Sequence, residues 1–205
     1  RKRKKNKIKN LKWLGGDFDL NWKKELSDSD ILVHLVASGL NTTYGREIYE
    51  TNIFKSINLL KNAIKYNCKK WLIISTSSEY GLTKKNKCIK FSKKSNRIPE
   101  NDYGLSKAIF TDLCINLAKK FNCKARIMRI FPVYGLGENK KRLYPSLLNA
   151  AEKGDDFFVK NPLETRDFTH VKFVSKILFD AMNFKKKGFR SHQVWHVSEN
   201  KPELI

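Results

Sequence analysis

No C-x-x-C pair occurs in the 205 residues, and the four cysteines (Cys68, Cys88, Cys114 and Cys123) are scattered. That excludes a zinc ribbon or a dithiol redox motif, and it argues against a disulfide frame. The reading is of reduced thiols in a cytoplasmic protein with no metal centre. No apolar run approaches the roughly 20 residues that a membrane-spanning helix needs. Arg1-Lys2-Arg3-Lys4-Lys5 has no apolar stretch behind it, so it does not read as a secretory signal. Acids are scarce, 20 against 42 Lys and Arg, for a net charge of +22. Such an excess invites a nucleic-acid reading. Against it, residues 1–12 hold eight of the 42 and no acid, while the rest are dispersed. Lys, Asn and Ile are all heavily used, which looks like a habit of composition.

What is present points to an α/β protein. Hydrophobic residues make up 40% and charged residues 30%, which is globular rather than disordered. Residues 31–37 and 71–74 are continuous apolar runs suited to strands covered on both faces. Between them, Ile48, Ile53, Ile57, Leu60 and Ile64 recur at helical spacing over residues 47–66. A second long helix is predicted over 102–121. Further strands are predicted over 126–131 and 193–197, with helices over 143–153 and 169–182. Pro145 falls in the first turn of the 143–153 helix, where its missing N–H costs nothing. Residues 13–19 read as a strand tip and turn, 157–159 as a short strand, and 83–100 as a basic surface loop. Alternating strands and helices imply a doubly wound parallel sheet with helices on both faces, and ligands at the carboxyl ends of its strands.

Tyr103-Gly104-Leu105-Ser106-Lys107 opens the second long helix. At i and i+4, Tyr103 and Lys107 share one face. A phenol with a pKa near 10 is a poor proton donor or acceptor at neutral pH, and a neighbouring ammonium favours its phenolate. Such a pair alone is most often a solvated Lys beside a half-buried ring. The preceding strand changes this, because Trp71 to Ile74 ends in the hydroxyl cluster Ser75-Thr76-Ser77-Ser78.

Taken in order, these stretches resemble the extended short-chain dehydrogenase/reductases, specifically the NAD-dependent epimerase/dehydratase group. Gly16-Asp17-Phe18, Val33 to Ala37, Thr51 to Ser56, Ser75 to Gly81 and Tyr103-x-x-x-Lys107 carry the likeness. So do Arg129-x-Phe131-Pro132-Val133-Tyr134-Gly135 and Arg166-Asp167-Phe168-Thr169-His170-Val171. The resemblance implies a partial Rossmann-like domain over 1–135. Residues 136–205 are then mostly a substrate-binding region, with a strand or helix returning to the core. It implies NAD or NADP as cofactor and a nucleoside-diphosphate sugar as substrate. Thr76, Tyr103 and Lys107 become catalytic. Asp17, Phe18, Leu35, Val36, Ala37, Thr51 and Phe131, together with Tyr103 and Lys107, become cofactor-binding. Ser77, Ser78, Arg142 and Arg166 become substrate-binding, with the Arg166 guanidinium on the diphosphate. His34 and His170 read as structural. Family members often dimerise through the two long helices.

Two departures qualify the likeness. The sequence has no G-x-x-G-x-x-G turn, the element that lets the backbone approach a pyrophosphate. The resemblance places residue 1 after that turn, so weak cofactor binding is expected of the chain as given. In addition, Ser77 and Ser78 stand where sugar 4,6-dehydratases of the group carry an acidic residue. Serine without a partner is no general base at neutral pH. A 4-epimerase or a 4-ketoreductase is therefore expected. A non-catalytic binding module and, with less support, a nucleic-acid binder remain as alternatives.

Overall fold

Trp71, Leu72, Ile73, Ile127 and Met128 are wholly buried, and they explain the architecture. Side chains on a strand alternate between its two faces, so consecutive apolar residues require cover on both. A computed structural model describes residues 10–18, 20, 22–39, 44–81, 91–92, 94–159, 162 and 164–204. The basic residues 1–9 and the part of the expected loop over 83–90, with Cys88, lie outside the described residues.

The chain runs through a short helix α1 (Lys23–Ser27) into β1 (Leu32–His34). A long helix follows: α2 (Arg46–Tyr49), a π turn (Glu50–Lys55) and α3 (Ser56–Lys65). Strand β2 (Lys70–Thr76) leads through a 3₁₀ turn (Ser77–Tyr80) towards α4 (Asp102–Lys120). Next come β3 (Lys124–Ile130), β4 (Val133–Tyr134) and α5 (Leu143–Lys153). The chain closes with β5 (Thr165–Arg166), β6 (Thr169–His170), α6 (Val171–Met182), β7 (Gln193–Val197) and β8 (Glu203–Leu204). The main sheet is parallel, in the order β1-β2-β3-β7. On one face Trp71, Ile73, Ala125 and Ile127 pack against Leu60, Ala63, Phe110 and Cys114 of α3 and α4. On the other, Leu72, Met128 and Val197 meet Val174 and Ala181 of α6. Each fully buried Leu, Ile or Met contributes about 1.5–3 kcal/mol.

The two long helices end in the same way. Asn67 and Asn122 take the left-handed conformation (φ 64° and 52°). The next N–H, of Cys68 or Cys123, returns to the carbonyl of Ala63 or Ala118 at 2.8 Å. This Schellman geometry satisfies the terminal carbonyls and drops a buried cysteine directly before β2 and before β3. The three cysteines among the described residues are free and buried.

Several expectations need correction. Residues 13–18 form no strand: Gly16 at φ 134° breaks the extended path, and Trp13 and Leu14 lie exposed. Strand β1 is an edge whose ladder stops at His34 opposite Ile73, so Leu35 to Ala37 continue as coil. Residues 157–159 find no ladder partner among the described residues, and Phe158 is 94% exposed. Thr169 and His170 pair with β4 instead of starting the last long helix, and the His170 Nδ1 caps α6 by accepting from the Lys172 N–H at 3.3 Å. The capping role agrees with a structural His170. His34 is structural too: it is buried beside Ser56 Oγ at 3.0 Å, and burial, helped by the Lys107 charge, lowers its pKa to about 3.

The seat of α4 is tight. Asn101 caps the helix by accepting from the Gly104 N–H at 2.8 Å. A Cβ on Gly104 would lie 2.4 Å from the Ser78 carbonyl oxygen, a backbone atom that cannot swing aside. Gly104→Ala is expected to cost about 1–3 kcal/mol, seen as a lower urea midpoint at unchanged slope. An unchanged midpoint would show that the 3₁₀ turn and α4 are not in this contact.

Candidate active site

At the carboxyl ends of β2 and β3 the chain lines a cleft of about 820 Å³. Thr76, the last residue of β2, accepts the Ser78 N–H at 3.2 Å and so caps the 3₁₀ turn. Ser77 and Ser78 stand beside it in the wall. The turn brings Thr76 into the same cleft wall as Tyr103 of the first turn of α4, where it favours the phenolate. One turn further along α4, the Lys107 ammonium is 3% exposed and donates to the Ile74 carbonyl oxygen at 2.7 Å. Three residues from two separate elements thus meet at one spot.

The electrostatics differ from the expectation. Burial raises the Tyr103 pKa above that of an ordinary phenol, and the nearby Thr76 hydroxyl and the Arg142 charge only partly oppose this. Burial lowers the Lys107 pKa to about 8, and its ammonium is committed to a β2 carbonyl. The expected lowering of the Tyr103 pKa is not met, because burial outweighs the groups that favour the phenolate. In this state, Thr76 and Arg142 favour the phenolate, and Lys107 ties α4 to the end of β2.

Ten of the fourteen expected site residues line the cleft. Besides Thr76, Ser77, Ser78, Tyr103 and Lys107, these are Leu35, Ala37, Phe131, Arg142 and Arg166. Arg142 lies beside Glu138 at 3.5 Å, and Arg166 makes a two-pronged pair with Glu164, both prongs at 3.0 Å. Asp17, Phe18, Val36 and Thr51 are not in the cleft wall. Asp17 pairs with Lys55, while Phe18 turns its ring edge to His34 at 6.1 Å. Thr51 lies on the π turn, its carbonyl taken by Ser56 Oγ at 2.8 Å.

Sequence reasoning missed three features. The first is Asn52, buried on the π turn beside Thr51. Its amide accepts from the Ser38 N–H at 2.8 Å and donates to the Ser38 carbonyl at 3.0 Å and to Ser106 at 2.9 Å, fixing the cleft edge after β1. The wider pitch of a π turn, often found at functional sites, is a signal visible only in coordinates. The second is Glu79, wholly buried, which accepts from Ser75, from Thr111 at 2.9 Å, from Arg97 at 3.2 Å and from Arg129. The third is His196, a cleft residue from β7 that alternation on the strand could have placed at a ligand-bearing end.

A parallel sheet covered on both faces, with this cleft at its carboxyl edge, defines a Rossmann-like α/β protein. The chain belongs to the NAD dependent epimerase/dehydratase family, whose model matches residues 2–195. It is 34% identical over 105 residues to the UDP-glucose 4-epimerase of Vibrio cholerae, covering 51% of this chain and 31% of that protein. A bifunctional UDP-glucose and UDP-xylose 4-epimerase of Pisum sativum is 24% identical over 192 residues, covering 81% and 54%. Among solved structures, the UDP-glucuronic acid 4-epimerase of Bacillus cereus, in complex with UDP-glucuronic acid and NAD, superposes with TM-score 0.79 at 26% identity, covering 93% of this chain and 60% of that one. The dTDP-glucose 4,6-dehydratase of Bacillus anthracis shares the fold at 22% identity and TM-score 0.79, covering 92% and 59%. The chain thus spans about a third to a half of those curated relatives and about three fifths of the solved chains.

Burying Lys107 gives stability a definite pH dependence. Its folded pKa, about 8, lies below the unfolded value of 10.5. Below pH 8 the amine is protonated in both states, and the fold carries the desolvation cost. Between 8 and 10.5 the unfolded chain holds more protons, so this group makes stability rise with pH. The rise is roughly 3 kcal/mol at most, from 1.36 kcal/mol per pH unit of displacement. Urea midpoints from pH 7 to 10 should show wild type gaining on Lys107→Met across that window. Parallel curves would place the Lys107 ammonium in water.

Proposed function

We propose that this chain carries the acid–base and sugar-facing part of an NAD(P)-dependent nucleotide-sugar epimerase or 4-ketoreductase. The Thr76 and Tyr103 hydroxyls, gathered in one cleft beside the buried Lys107, carry the reading. A hydroxyl pair of this kind, at the mouth of a parallel sheet, can hold one sugar oxygen and move its proton. Tyr103 takes or gives that proton. Thr76 holds the same oxygen in line, itself oriented by the 3₁₀ turn. Arg142 and Arg166 supply positive charge for a diphosphate, and the Arg166 fork fits two of its oxygens. Its pairing with Glu164 is that of a guanidinium already holding an oxyanion in the required geometry.

The residues present fit the nicotinamide end of a dinucleotide. Leu35, Ala37 and Phe131 give apolar walls beside Tyr103 and Lys107 in one cleft. No G-x-x-G-x-x-G turn stands in the sequence to hold the pyrophosphate end. When bound, NAD would accept hydride from the sugar carbon and return it. The names of the similar proteins favour NAD over NADP as the cofactor, and a UDP-hexose as the substrate.

Water removal at sugar C6 is not supported. Ser77 and Ser78 face the cleft, and Glu79, the nearest acid in sequence, is enclosed by Ser75, Thr111, Arg97 and Arg129. Epimerisation or ketone reduction needs no further base.

Tyr103→Phe is expected to lower turnover of UDP-glucose, assayed with added NAD, by about 10²–10⁴-fold. UDP-glucose affinity should stay within about twofold, since only one hydroxyl is lost. Equal turnover in the two proteins would remove Tyr103 from the chemistry. A second copy of the chain is the partner proposed for α4, where Leu105, Ile109 and Leu113 form a stripe at i, i+4 and i+8, exposed by 40%, 36% and 37%. Ile109→Glu should convert a dimer to a monomer in sedimentation. A wild-type monomer at high concentration would dismiss this interface.

A further inference from the structure

Three neighbouring strands present one polar rung at the carboxyl edge of the sheet. Ser75 of β2 is the ladder partner of Arg129 of β3, which is the partner of His196 of β7. Directly paired residues project to the same face. Glu79 receives Ser75 and Arg129, and the Tyr80 hydroxyl receives Arg129 and meets His196 Nε2 at 2.6 Å. Ser75 and His196 both line the cleft.

Burial raises the Tyr80 pKa, so the phenol keeps its proton at neutral pH. Its oxygen accepts from Arg129. Its hydroxyl reaches the Ser92 carbonyl oxygen at 3.1 Å and His196 Nε2 at 2.6 Å, and so holds the imidazole by Nε2. The Tyr80 ring is itself held, stacked on Phe91 at 4.5 Å and with the Arg129 guanidinium 4.5 Å from its centre. His196 in turn lies edge-on to Phe131 at 5.4 Å.

We propose that His196 contacts the hexose of the substrate, and that Tyr80 is the positioning residue that fixes its ring. The inference rests on the nucleotide-sugar reading above and extends it to the sugar end of the cleft. An imidazole, which can donate or accept, suits sugar hydroxyls, and the adjacent Phe131 ring suits the C–H face of a pyranose. The diphosphate falls to the Arg166 fork.

Calorimetric titration of the chain with UDP-glucose and, separately, with UDP tests this. His196→Leu should weaken UDP-glucose about tenfold, the size of one lost hydrogen bond to a hydroxyl. Tyr80→Phe should weaken it about threefold, and His196→Asn, which keeps a polar group near Nδ1, should recover part of the loss. UDP should bind all four proteins within about twofold. Unchanged UDP-glucose affinity in His196→Leu overturns the proposal. Equal weakening of both ligands overturns it as well, since a merely structural histidine would act on both. If the unsubstituted chain binds neither ligand, the nucleotide-sugar reading itself fails. If Arg166→Leu abolishes UDP binding while His196→Leu changes nothing, that reading stands and only the role of His196 falls.

Discussion

The buried carboxylate of Glu79 is the constraint on which the cleft depends. A lone charge at zero exposure would be prohibitive, and a buried ion pair is tolerated only when its remaining oxygen sites are filled. Here Arg129 and Arg97 balance the charge, while Ser75 and Thr111 complete the hydrogen bonds. These partners come from β2, β3, α4 and the segment before α4. One side chain thus fixes how the 3₁₀ turn after β2 sits against α4, and that seating brings Thr76 to Tyr103. Breaking such a pair costs about 3–5 kcal/mol, comparable to a large part of a domain's net stability.

The chemistry sits on top of this rigid base. Thr76 ends a strand and caps the next turn, so its hydroxyl has little freedom. Tyr103 lies in the first turn of α4, held by the Asn101 cap and by the absence of a Cβ at Gly104. Lys107 is buried and bonded to β2. The Tyr103 hydroxyl is pre-positioned by packing, while its pKa is raised by the same burial. Preorganisation and a poised pKa pull in opposite directions here, and Thr76 and the Arg142 charge oppose the upward shift.

Much of this was legible in the residue order. Continuous apolar runs announced the doubly covered strands, and helical spacing announced the helices over 46–65 and 102–120. The Tyr103-x-x-x-Lys107 pair and the hydroxyls after β2 announced the site. The errors fell where a segment lacks a partner or gains an unforeseen one. Residues 13–18 and 157–159 are apolar enough for strands but have no ladder to join, and Thr169-His170 joined a two-residue strand that local pattern cannot reveal. Asp17, Phe18, Val36 and Thr51 were assigned by likeness and stand outside the cleft wall.

Sequence alone determined the alternation of strands and helices, the one-turn spacing of Tyr103 and Lys107 and the absence of a carboxylate at Ser77 and Ser78. These are local properties, set by periodicity, spacing and residue type. Only the tertiary structure decided that Glu79 is buried between two arginines, that Asn52 clamps the loop after β1, and that His196 joins Tyr80 from 116 positions away. Such contacts depend on strand order and register, which place side chains from distant segments on one face at hydrogen-bonding distance. No window of neighbouring residues contains that information.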